Sequence, residues 1–192
     1  MELTLVYFKN IIGDEVIRNS SEDLEHQGVS LSIYDRAGKI EASLTDAVSQ
    51  IFVIFSPALV NSIAAGLMTN AAYEAIKNQL LTFSSDIRGK SYKRFSAQND
   101  IKDVDADFGI KFRAGRDSFD LKISPDASDE VKLKCVEEAF SIIREQGPEK
   151  ELVFDESMSP KHQIGTFDER SKTYHLIEQS DLIDYLKKQG KL

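Results

Sequence analysis

The sequence predicts an α+β fold: three hairpin-then-helix (ββα) units, an antiparallel sheet and one long central helix. Three observations lead there. Apolar and polar residues alternate in paired runs near 29–44, 104–123 and 164–177, with a polar turn inside each pair. Sequence of helical character follows each pair, so the strand–strand–helix order recurs near 29–82, 104–146 and 164–189. A Ser-Pro dipeptide, an N-cap followed by proline at the first helical position, opens a helix at Ser56-Pro57 and again at Ser124-Pro125. The units share no residue pattern, so the recurrence is one of architecture and not of sequence.

Leu3 to Phe8 is a short β-forming apolar run that reads as a buried strand, ended by Gly13-Asp14. Residues 15–27 suit a helix capped by Asp14, opposed by Asn19, Ser20 and Ser21. Val29, Leu31 and Ile33 alternate with polar neighbours, as do Ile40, Ala42 and Leu44, around Asp35-Arg36-Ala37-Gly38. This pattern predicts a hairpin. Residues 46–55 fit a helix or a buried strand equally, since periodicity does not separate the two. One long helix is then expected from Pro57 to about Thr82, with Ala64, Ala65, Gly66, Ala71, Ala72 and Ala75 allowing close approach of a neighbour.

The polar and basic stretch 84–102 reads as a connection between an N-terminal part, 1–83, and a C-terminal part, 103–192. In the latter, turning the chain at Ala114-Gly115-Arg116-Asp117 sets Phe112 against Phe119, Ile110 against Leu121 and Phe108 against Ile123. Lys111 then meets Asp120 on the opposite face. A helix should follow Ser124-Pro125 as far as Gln146, with the stripe Val131, Cys135, Ala139 and Ile142, and stop at Gly147-Pro148. Leu152 to Phe154 suits a strand, Ile164–Phe167 and Tyr174–Ile177 a hairpin, and Ser180 the cap of a terminal helix.

Composition bounds the function. The chain has 192 residues, 41% of them hydrophobic, with a net charge of −8. That is enough apolar material for a core, and an acidic balance that argues against nucleic acid as the principal partner. A single cysteine, Cys135, rules out a disulfide within the chain and a cysteine-based zinc site. It lies in an apolar helical stripe, where a thiol behaves as a small hydrophobe. The start, Met1-Glu2-Leu3-Thr4, has no basic leader pattern, and the expected compartment is the cytoplasm.

No phosphate loop, nucleophile elbow or His-Glu-x-x-His pattern is present, and His26, His162 and His175 are not at ligand spacing. Asp103-x-Asp105-x-Asp107 resembles the start of a calcium loop, but Phe108 and Ala114 stand where glycine and glutamate are needed. No catalytic residue, metal or cofactor is therefore assigned. The leading expectation is a non-enzymatic interaction or regulatory protein, acting on a protein partner or as a homo-oligomer. Phe52, Phe55, Leu59 and Ile63 of the apolar stretch 45–82 are the candidate partner-binding residues. Two alternatives belong to other classes. The apolar segment 48–68 is about long enough to cross a bilayer, which suggests a membrane-acting effector, with Arg88, Lys90, Lys93 and Arg94 as the anionic-surface contacts beside Tyr92 and Phe95. Asp107 with Asp120-x-Lys122 could serve a metal-dependent nuclease.

Overall fold

A computed structural model describes residues 1–36, 50–95, 101–148 and 160–188. The strands are β1 (Glu2–Tyr7), β2 (Ser30–Asp35), β3 (Ile51–Phe55), β4 (Ser91–Phe95), β5 (Ile101–Asp105), β6 (Phe108–Ala114), β7 (Asp117–Ile123), β8 (His162–Asp168) and β9 (Thr173–Glu178). The helices are α1 (Asp14–Glu25), α2 (Pro57–Ala64), α3 (Asn70–Asp86), α4 (Asp129–Gln146) and α5 (Leu182–Lys188).

Seven strands form one sheet in the order β2-β1-β3-β6-β7-β8-β9, while β4 and β5 pair apart from it. The expected antiparallel sheet is thus corrected to a mixed one. The pairs β1/β2, β3/β6 and β7/β8 are parallel, and β1/β3, β6/β7 and β8/β9 antiparallel. Parallel neighbours need a long crossover, and α1, the α2–α3 stretch and α4 lie in the three connections. The first of the ββα units is not formed as drawn, whereas β6 and β7 pair ahead of α4 and β8 and β9 ahead of α5. β2 pairs in parallel with β1, and Ile40 to Leu44 lie outside the described residues, as do Leu152 to Phe154. The 84–102 connection holds β4 and the start of β5, and β3 pairs with β6 across it.

The long helix expected over 57–82 is two helices. Ser56 caps the first, its Oγ accepting from the Leu59 N–H at 3.3 Å, with Pro57 at the start as expected. Gly66 then adopts φ +66°, Leu67 N–H turns back to the Ser62 carbonyl, and Thr69 caps the next helix through Ala72 N–H. A left-handed residue of this kind is a glycine C-cap, and it stops the helix within the alanine run. Another local correction is at α4. Its cap is Ser128, not Ser124, with Oγ accepting from Val131 N–H. Gly147 ends it at φ +77°.

One row of the sheet explains the core. Leu5, Val53, Ile110, Leu121, Gly165 and Leu176 lie side by side, facing the helices. A Cβ on Gly165 would stand 2.5 Å from Leu121 Cδ2 and 3.1 Å from both Leu176 Cδ2 and Tyr174 Cδ1, so only glycine fits beneath these side chains. Leu3, Phe55, Phe108, Phe112, Phe119 and Ile123 extend the layer. Leu59, Ile63, Leu80, Phe83, Val136 and Phe140 cover it from the helices in one continuous cluster. Cys135 is buried in that cluster, and burial pushes its thiol up to about 11. α1 forms despite its serines because Ser20 turns inward, donating to Gln79 Oε1 of α3 at 2.6 Å.

Candidate functional site

The second face of the sheet carries the chemistry. Alternation along the strands places Phe52 and Ile54 of β3, Lys111 and Arg113 of β6, Ser118, Asp120 and Lys122 of β7, and His162 and Ile164 of β8 on this side. In register, Thr4, Ile54, Lys111, Asp120, Ile164 and Ile177 form its middle row. Among the described helices, α5 reaches this face at the β9 edge, where Tyr185 lies against His175 with ring centroids 5.9 Å apart.

Asp120 is fully buried, and neither of its carboxylate oxygens accepts a hydrogen bond. Its compensation is ionic: Lys111 Nζ lies 3.2 Å from Oδ2. The same ammonium stands 3.7 Å from the centre of the Phe52 ring, so it is held between an aromatic face and a carboxylate. Lys122 makes a second ion pair, 3.1 Å from Asp107 Oδ2, while Asp107 Oδ1 accepts the Gln50 N–H at 2.9 Å.

Ser118 and His162 face each other across β7 and β8, and the serine Oγ and imidazole Nδ1 share a hydrogen bond at 2.7 Å. Burial lowers the pKa of His162. Asp120 pulls it up and Lys111 pushes it down. The folded protein thus favours the neutral ring. Its contribution to stability is complete above the unfolded value of about 6.5 and is lost as pH falls from there towards the lower folded value. An NMR titration of the His162 ring protons should show a midpoint below that of a histidine peptide; a midpoint at or above the peptide's would contradict the burial argument.

Where β3 ends and turns into α2, the sheet opens into a cavity of about 300 Å³. Phe55, Phe112 and Phe119 line it from the core, and Ile54, Lys111, Arg113, Ser118 and His162 from the second face. The aromatic rings stack on one another, Phe55 to Phe112 at 6.1 Å and Phe112 to Phe119 at 5.1 Å. Beyond Ile54, Phe52 and Tyr34 continue an apolar strip on either side of Val6. Ile54 and Tyr34 are exposed and Phe52 half-buried.

No family model, curated protein or solved structure matches this chain.

That geometry redistributes the residues expected from sequence. Phe55, Leu59 and Ile63 are corrected from a partner surface to the core: their exposures are 2%, 0% and 2%. The apolar stretch looked too large for its cover because four helices and a seven-stranded sheet close over it, which short hairpins would not do. Phe52 alone of the four reaches the second face. The segment 48–68, expected to suit a membrane, contains β3 and α2, and the side chains of Ile51, Val53, Phe55, Leu59, Val60 and Ile63 are buried. No helix among the described residues is long and apolar enough to cross a membrane.

The basic cluster is also partly structural. Arg88 donates to the carbonyls of Pro125 and Ala127 ahead of α4, and Lys90 Nζ donates to the Ile11 carbonyl and pairs with Asp86. Tyr92 is buried and stacks on Phe8 at 4.6 Å, so its ring is not free for a base. Lys93 is exposed on β4; the Arg94 side chain lies outside the described residues.

Asp107, Asp120 and Lys122 do share one face, as the nuclease reading required. Asp107 is held by Lys122 and Gln50, Asp120 by Lys111, and among the described residues no group of three potential metal ligands converges. The meeting of Ser118 with His162 was not foreseen from the sequence. They lie 44 residues apart and meet through a parallel pairing that leaves no local signal.

Proposed function

We propose that this chain is an interaction protein that receives a partner protein on the second face of its sheet, with an apolar side chain of the partner seated in the cavity beside Ile54. The cavity carries the reading. It is walled by Phe55, Phe112 and Phe119, opens next to the exposed Ile54, and continues into the strip formed by Phe52 and Tyr34. An apolar anchor in a pocket with polar groups around it is the usual energetic centre of a protein interface. Lys111 and His162 at the rim suit hydrogen-bond acceptors or acidic groups on the partner next to that anchor.

The test compares two exposed isoleucines. Ile54 is 38% exposed beside the cavity, and Ile183 is 54% exposed on α5. Partners retained by the untagged wild-type chain and identified by mass spectrometry should bind Ile54→Asp at least about tenfold more weakly, while Ile183→Asp binds as the wild type does. Both variants should melt within a few degrees of the parent, because neither side chain is in the core. A partner that binds Ile54→Asp and wild type equally would place the interface elsewhere.

A further inference from the structure

We infer that Ser118 and His162 are a nucleophile and its base, and that they hydrolyse carboxylic esters whose short apolar acyl chain sits in the cavity beside them. The serine Oγ and the imidazole Nδ1 are 2.7 Å apart, within the reach a base needs to activate a hydroxyl. Backbone pairing holds them there. Ser118 N–H donates to the Lys161 carbonyl at 2.9 Å, and Lys161 N–H donates to Asp117 Oδ1 at 3.0 Å. Both side chains are half-buried and both line the cavity of about 300 Å³, so the nucleophile borders the space in which a substrate would lie. Burial keeps the ring neutral, the form that accepts a proton.

The rest of the wall fits an ester. Ile54, Phe55, Phe112 and Phe119 take the acyl chain, and the volume suits a short one. Lys111 and Arg113 of β6 line the same space, as does Pro57, the first residue of α2. Two cations and the N-terminal end of a helix set positive potential where the carbonyl oxygen becomes negative. Asp120, two residues from Ser118 on the same face, is buried and accepts no hydrogen bond. Its charge favours the imidazolium that forms during attack. With the ring proton on Nε2, Nδ1 takes the Ser118 proton as Oγ bonds to the ester carbonyl carbon. The imidazolium gives that proton to the leaving alkoxide as the carbon–oxygen bond breaks. Water then adds to the acyl-serine, and its proton passes to Nδ1 and from there to Oγ. That releases the carboxylic acid and restores the pair. No partner protein takes part, so the activity stands or falls separately from binding at Ile54.

The test uses the untagged full-length chain with p-nitrophenyl butyrate, p-nitrophenyl acetate and a fluorophosphonate that labels activated serines. kcat/KM for the butyrate should exceed that for the acetate at least about fivefold, because each further methylene is buried. It should rise with pH as His162 loses its proton, with a midpoint below about 6.5. Intact mass and peptide mapping should find a single fluorophosphonate adduct, on Ser118. Ser118→Ala and His162→Gln should each lower kcat/KM at least about a hundredfold and abolish the adduct. Ser171→Ala and His175→Gln, both exposed in the β8/β9 hairpin, should keep the wild-type rate. The adduct is read on the wild type and does not depend on the folding of any variant. A wild type that hydrolyses the butyrate no faster than buffer overturns the proposal. So does an adduct elsewhere or none, a Ser118→Ala rate within about threefold of the wild type, or a rate independent of pH below about 7.

Discussion

Phe112→Ala is expected to lower the stability of this protein by about 3–5 kcal/mol, the usual loss for truncating a core aromatic. Phe112 is 3% exposed and pairs with Phe119 in the β6/β7 ladder. Its ring stacks on Phe119 at 5.1 Å and on Phe55 at 6.1 Å, and Phe55 in turn meets Phe140 of α4 at 5.9 Å. Removing it takes away the middle member of a chain of rings that joins the hairpin to β3 and then to the helix layer. The void also merges with the cavity beside Ile54, so the surroundings have little to collapse with. Urea unfolding should show the midpoint falling with the slope unchanged. Ile54→Ala on the other side of the same opening should cost under about 1 kcal/mol, being exposed. A Phe112→Ala midpoint equal to the wild type's would mean that this stack does not hold the hairpin to the helices.

Lys111→Met should cost about as much, roughly 3–5 kcal/mol, for an electrostatic reason. Asp120 is fully buried and accepts no hydrogen bond, so the ammonium 3.2 Å away is what compensates its charge. Methionine keeps the stem and the packing on Phe52 but leaves a carboxylate in the sheet without its counter-ion. The double variant Lys111→Met with Asp120→Leu should recover most of the loss, since a buried ion pair replaced as a whole by apolar groups is often close to neutral. Denaturant titrations of the two single variants and the double variant measure the coupling directly. Additive losses, with the double variant the least stable of the three, would show that the pair is not coupled and that Asp120 is stabilised by other means.

The sequence by itself determined the features whose contacts are close along the chain. The β6/β7 register was legible to the residue, including Lys111 opposite Asp120, because a tight turn and strict alternation leave one pairing that buries the apolar face. The Ser56-Pro57 start of α2, the end of α4 at Gly147 and the β8/β9 hairpin were legible for the same reason, since caps and short turns are written in neighbouring residues. Tertiary structure decided the rest. Parallel pairing of β1 with β2, β3 with β6 and β7 with β8 depends on residues tens of positions apart, with no local mark. The same apolar run, Ile51 to Ile63, suits a central strand with a short helix, a membrane segment or a partner surface. Only the layer packed over it made Phe55, Leu59 and Ile63 core residues. The meeting of Ser118 with His162 followed from the β7/β8 register, which burial of Leu121 over Gly165 fixes and neither strand specifies alone.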